Sequence, residues 1–435
     1  MPEETTDYRR MWTELGLDLD SHDALLQAVG GMYGDTYLTQ ENRPQGMGYL
    51  DFVMTEVHGL RIKELDDFRK QGGKVVGTYC LYVPEEVIRA AGAWSVGICA
   101  GAEWAYDDVE RILPRNTCAL VKSMMGFKLG KVCPYLEEAD LLVGETTCDG
   151  KKKAYEILGE MHPMHIMELP QMKRPKDLAF WRSEIVDLIA KLEELTGKKV
   201  TAESLKAAIV EVNDKRRALQ RIAADRGAVP SPISGKDALL ATQVAFYDDV
   251  PRFTTSMNAL ADELDQRVAD GVGVAPADAP RVLVTGTPMA LPNWKLHDII
   301  EKAGGVVVGE EMCTGSRYYQ DLVSEDSTTL DEMIDDIAAK YLDIDCACFT
   351  PNDGRIDDVV RMATELKADG VIDYTLQFCG TYEIEAGGVE KAVQEAGLPV
   401  LKVTTDYSME DVGQLKTRVE AFLEMVQDRK AAPVA

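Results

Sequence analysis

Two hydrophobic periodicities alternate along this chain. Between residues 72 and 169, short apolar runs that fit buried strands are interleaved with segments of helical spacing. In "GGKVVGTYC" a glycine pair ends a helix and a strand runs over 74–80. The helix "PEEVIRAAG" follows, with Pro84 in its first turn and Gly92 at its end. A strand is expected at 94–99. The loop "PRNTC" and a helix from Ala119 to about Gly130 come next. The apolar run Leu141-Leu142-Val143 then leads into "GETTCDGKKK" and another helix, and 164–169 is a short strand. Upstream, residues 1–70 read as mostly helical, with 47–66 amphipathic.

From 176 to 271 the spacing is helical throughout. Thr201 is a candidate N-cap and Gly227 a stop, "VPSPISG" is a loop, and two further helices run to Asp270. "GVGVAPADAP" marks a boundary. The alternation then resumes: strands are expected at 280–288, 306–313, 344–352, 371–379 and 399–406, with helices between them, the last of these at 387–398.

Strands alternating with helices imply parallel sheets. The expected fold is α/β, with two parallel-sheet, flavodoxin-like α/β domains at 73–175 and 276–435. A helical N-terminal segment covers 1–72, and a helical linker domain covers 176–275.

Composition narrows the function classes. A chain of 435 residues with 46% apolar content has material for several cores. With 74 acidic against 47 basic residues, its net charge of -27 repels nucleic acid and anionic lipid. The opening "MPEETTDYRR" has no signal-peptide character, and no apolar run approaches the ~18 residues of a membrane span. A cytoplasmic protein with no nucleic-acid or membrane partner is expected.

Nine cysteines change the picture. Cys80, Cys148, Cys313, Cys348 and Cys379 fall at carboxyl ends of expected strands, and Cys118 in a loop entering a helix. Ligands of open α/β sheets bind at that edge. Core thiols would be scattered along the strands. Three of the six belong to each unit (Cys80, Cys118, Cys148; Cys313, Cys348, Cys379), which points to a shared inorganic site. Spacings are long and no C-x-x-C occurs, so ferredoxin and zinc-ribbon patterns are absent. Thiolate-only donors suit an iron–sulfur cluster, and three per cubane leave one iron without a protein ligand. In "MHPMH", His162 and His165 flank a proline at a helix–strand junction and read as structural. Lys151, Lys152 and Lys153 either offer positive charge to an anionic ligand or form a solvated helix face. No nucleotide motif is present: "GVGVAP" lacks the third glycine, and no G-x-x-x-x-G-K-[ST] occurs.

As a set, "GTYC…PEEVIRAAG", "PRNTCALVKS", "GETTCDGKKK", "CTGSRYY", "CFTPN" and "QFCGTYEIE" resemble the superfamily of 2-hydroxyacyl-CoA dehydratases and benzoyl-CoA reductases, from about Gly73 to the C-terminus. The resemblance implies one [4Fe-4S] cubane held by Cys80, Cys118 and Cys379. The surplus set Cys148, Cys313 and Cys348 is similar to that of double-cubane cluster proteins, in which two cubanes share a bridging sulfide as [8Fe-9S]. Cys346 lies two residues from Cys348 on the same face of the expected strand, so the choice between them stays open. Cys99 and Cys133 read as structural. The resemblance further implies a separate ATP-hydrolysing iron–sulfur activator that delivers low-potential electrons. The expected function is an ATP-dependent reductase of small molecules, acting as a homodimer. The alternatives are a 2-hydroxyacyl-CoA dehydratase subunit with a single [4Fe-4S] cluster, or a passive electron carrier.

Overall fold

The computed structural model describes residues 8–431. Strands β1 (Val75–Thr78), β2 (Trp94–Gly97), β3 (Leu141–Glu145) and β4 (Met164–Met167) form one sheet in the order β2-β1-β3-β4. Strands β5 (Arg281–Gly286), β6 (Val306–Glu311), β7 (Gly370–Leu376) and β8 (Val400–Thr405) form a second in the order β6-β5-β7-β8. Every pairing is parallel, so the architecture is α/β with two parallel-sheet units. The two orders are the same, and each sheet reverses direction at its first strand. A crevice for ligands opens at that switch point. Strands β3, β5, β6 and β7 are buried along their whole length, which explains their near-continuous apolar runs.

The segment 344–352 corrects one sequence expectation. It forms turns and bends, not a strand, so the second sheet has four strands and Cys348 does not follow one. Its backbone is committed elsewhere. Tyr82 Oη donates to the Ile344 carbonyl (3.0 Å), the Phe349 amide donates to the Cys346 carbonyl (3.0 Å), and the Thr350 amide donates to the Gln171 carbonyl (2.9 Å). Pro351 has no amide to offer a ladder. Two helices also differ from the periodicity. The 47–66 segment breaks into Met47–Thr55 and Leu60–Lys70, and the helix expected at 387 begins at Gly380, directly after Cys379.

Between the sheets run the helices Pro175–Thr196, Ala202–Asp225, Gly235–Val244 and Val250–Ala269. Thr201 caps the second through the Ser204 amide. This helical layer ties the two units together with buried ion pairs. Arg216 meets Glu86 of the first unit (2.6 Å) and donates to Tyr341 of the second (2.8 Å), while Arg226 clamps Glu310 at 2.6 and 2.7 Å. The units also touch directly. The Gly101 amide donates to the Leu291 carbonyl (2.9 Å), and a Cβ on Gly101 would lie 2.0 Å from the Ala290 oxygen. Only glycine allows that approach. Among the described residues, no helix is long and apolar enough to cross a membrane.

Candidate functional site

The carboxyl edges of both sheets open on one cavity of about 130 Å³, lined by eight of the nine cysteines, all except Cys133. The six cysteines singled out above are among them, together with Cys346 and Cys99. Leu81, Val121, Phe246, Leu291 and Leu376 supply apolar wall.

Local structure explains how each thiol arrives there. Cys118, Cys148 and Cys379 are the N-cap residues of the helices Ala119–Leu129, Asp149–Gly159 and Gly380–Glu395. A helix N-terminus carries free amides and partial positive charge, a setting that favours a thiolate. The Lys151 amide donates to Cys148 Sγ at 3.4 Å. Cys80 and Cys313 each follow their strand by two residues, in the turns after β1 and β6. Cys346 and Cys348 occupy the irregular turn described above.

The thiols make contacts across the units. Cys118 and Cys379 interact across the units, and that interaction holds Cys118 below the ordinary thiol range and Cys379 well above it. The amides of Leu120 and Val121 also favour the Cys118 thiolate. Cys148 lies within electrostatic range of both. In the second group, Cys80 interacts with Cys313 and Cys348 with Cys346. Cys346 is drawn down to about 6 by Cys348, by Arg317, and by Tyr382 Oη at 3.5 Å. This grouping matches neither the split by unit nor the triads drawn from the resemblance. Among the described residues, no three His, Cys, Asp or Glu side chains close on a position for a single metal ion.

Two charged networks line the thiols. Lys151 faces the cavity and meets the buried Glu145 carboxylate. Burial opposes its charge, but Glu145 together with Tyr155, Cys80 and Cys99 outweighs that and raises the Lys151 pKa. Lys152 and Lys153 point outward to Asp149 (2.9 Å) and Glu156 (2.5 Å), so the triple lysine divides into one cavity cation and two solvated ones. On the other side, Arg317 reaches Cys313 Sγ at 4.0 Å, Glu311 at 2.5 and 2.8 Å, and Tyr382. Arg355 meets Glu311 from behind at 3.2 Å. Sequence reasoning missed this network. The signal was present in "VVVGEEMC", where two carboxylates end an apolar strand and require buried cations.

The remaining candidates have structural partners. Cys99 donates to the Tyr79 carbonyl (2.7 Å), and burial pushes both Cys99 and Cys133 up to about 12. His162 Nε2 donates to the Ala139 carbonyl (2.8 Å), and neither His162 nor His165 lines the cavity.

Residues 80–426 match the family model described as 2-hydroxyglutaryl-CoA dehydratase, D-component. The chain belongs to this family, within the superfamily of 2-hydroxyacyl-CoA dehydratases and benzoyl-CoA reductases. It is 39% identical to the putative dehydratase subunit YjiM of Escherichia coli, covering 83% of this chain and 93% of that protein. It is 27% identical to the (R)-phenyllactyl-CoA dehydratase beta subunit of Clostridium sporogenes, covering 81% and 92%. With a benzoyl-CoA reductase subunit of Thauera aromatica it shares 24% identity over 78% of this chain and 86% of that one.

Proposed function

We propose that this enzyme is a low-potential reductase holding a double-cubane [8Fe-9S] cluster in the cysteine-lined cavity. A separate ATP-hydrolysing iron–sulfur activator protein supplies its electrons, and its substrate is a small molecule. The convergence of seven thiols besides the structural Cys99, drawn from both units, on one apolar cavity carries this reading. That donor set is soft, is spread around a volume, and exceeds the three thiolates of one open cubane. Cys118, Cys148 and Cys379 would hold one half of the cluster. Cys80, Cys313 and either Cys348 or Cys346 would hold the other. Such a cluster, when bound, supplies one-electron transfer at low potential.

The chain's own residues do the rest. Three helix N-termini and the Lys151 and Arg317 cations offset the negative charge of the thiolates. Leu81, Val121, Phe246 and Leu291 exclude water. Among the described residues Lys151 is the lysine that lines the cavity, and it would orient an anionic or polar substrate.

The names of the relatives favour a second reading, a 2-hydroxyacyl-CoA dehydratase subunit with one [4Fe-4S] cluster. Anaerobic iron and sulfide analysis separates the two. About eight irons per chain support the double cubane, and about four support the dehydratase subunit. Zinc without iron would defeat both readings. One chain carrying the whole thiol set fits a homodimer of closed symmetry.

A further inference from the structure

A second cavity, of about 50 Å³, adjoins the cysteine cavity where the N-terminal helices, both units and the linker meet. Leu25 and Val29 of the helix Leu19–Tyr33, Ile98 and Phe127 of the first unit, and Leu291 and Pro292 of the second give it an apolar wall. Cys99, Tyr247 and Leu291 line both cavities, so these three side chains form the partition between them. Leu26 and Val57 of the lining are only half-buried, and there the cavity approaches solvent.

The polar side chains of this wall are committed elsewhere. Tyr135 Oη donates to the Val57 carbonyl (2.8 Å), and Tyr247 Oη donates to the Cys99 carbonyl (2.8 Å). The Cys99 thiol donates to the Tyr79 carbonyl (2.7 Å). His58 Nδ1 lies 3.0 Å from His22 Nε2. Burial keeps the His58 ring and the Cys133 thiol uncharged, the first lowered to about 3 and the second raised to about 12. A water held in a cavity draws on about two to four polar partners. Here both hydroxyls of the wall have already given their hydrogens to carbonyls. Entry of an apolar molecule from water is favourable in such a space, whereas a charged one would lose its hydration without replacement.

We infer that this cavity binds small uncharged apolar molecules and passes them through the Cys99–Tyr247–Leu291 partition into the cysteine cavity. A water's share of the liquid is about 30 Å³, so the space takes a molecule of roughly two or three heavy atoms. Tyr247 and Cys99 are tied by their hydrogen bonds, and the apolar Leu291 side chain makes none, so Leu291 is the part that yields. Binding stands on the cavity alone. The passage inward rests on the reductase reading of the cysteine site. To that reading it adds a substrate class beside the anionic or polar one that Lys151 would hold. An acyl thioester is too large for this route.

Xenon is the probe for the cavity. Crystals of the full chain, grown anaerobically and pressurised with xenon, should show its anomalous scattering among Leu25, Val29 and Phe127. Val29→Phe should abolish that peak. A lack of xenon there in the unaltered chain overturns the inference, whether or not the crystals contain iron. The passage is tested in the iron-loaded chain with nitric oxide, a small uncharged molecule that degrades iron–sulfur clusters. Val29→Phe should slow bleaching of the visible absorbance by nitric oxide roughly tenfold. Bleaching by the ferricyanide anion should be unchanged, and Leu291→Ala should speed the nitric oxide reaction. Equal nitric oxide rates in Val29→Phe and the unaltered chain overturn the passage. A chain that takes up no iron defeats the reductase reading instead, and the xenon result still decides the cavity. Should Val29→Phe fail to fold, Leu25→Ala enlarges the space and should raise xenon occupancy, and unchanged occupancy would count against the site.

Discussion

Cys118 and Cys379, the N-cap residues of helices in the first and the second unit, interact in the cysteine-lined cavity. One half of the cysteine site is therefore built from both sheets. On the proposed reading, each half of the cluster depends on thiols from both units. Cys118→Ala, Cys148→Ala and Cys379→Ala should each lower iron from about eight to about four per chain, and Cys80→Ala and Cys313→Ala should remove the other half. Iron analysis and visible absorbance would check this. Full retention of iron in Cys148→Ala would overturn the six-thiolate scheme.

Cys99 and Cys133 are expected to behave as packing residues. Cys99→Ala loses a hydrogen bond to the Tyr79 carbonyl, and Cys133→Ala loses buried contacts. Each should cost about 1 kcal/mol in denaturant unfolding and leave iron content unchanged.

The buried pair Glu145–Lys151 gives a stability prediction. Lys151→Met strands a buried carboxylate and should destabilise by about 3–5 kcal/mol. Adding Glu145→Leu should recover most of that loss, which guanidinium unfolding of the single and double variants would measure. A loss that persists in the double variant would mean that Lys151 contributes through packing.

Two stacked histidines set an acid limit. His22 Nε2 and His58 Nδ1 lie 3.0 Å apart, and burial lowers their pKa values to about 4 and about 3. Both stay neutral in the fold but protonate near 6.5 when unfolded. The unfolded chain therefore binds more protons, and stability falls as pH drops below 6.5 towards the folded values. Asp225 and Asp373, raised to about 6 by burial, act in the opposite sense, so the test is a difference between variants. Between pH 7 and pH 5, His58→Leu should lose about 2 kcal/mol less stability than the unaltered chain. Equal losses would show that His58 takes up no proton on unfolding.

Electron delivery predicts nucleotide-gated docking. An ATP-bound activator should bind more tightly than the same protein with ADP, as read by pull-down, because only a state-dependent affinity lets hydrolysis drive release. Equal affinity would exclude gating at the docking step. Light scattering should find a dimer.

Much of this protein was legible in its sequence. Both sheets could be read because parallel strands buried on two faces must be apolar along their length, as in β3 and β5. The segment 344–352 misled for the same reason: "IDCACF" is apolar because it is buried, and burial alone does not make a ladder. Its carbonyl at Ile344 went to Tyr82, 262 positions away, a partner that local pattern does not reveal.

The sequence also placed Cys80, Cys118, Cys148 and Cys379 at one edge of the sheets, because strand ends and helix starts are local features that their neighbours announce. It did not determine who meets whom. The contacts Cys118–Cys379 and Cys80–Cys313, and the separate fates of Lys151 and its two lysine neighbours, follow from how two sheets of the same order are pressed edge to edge by the helices between them. Tertiary structure decided these because distance in space is fixed by the packing of whole elements, whose buried faces and ion pairs are satisfied far along the chain.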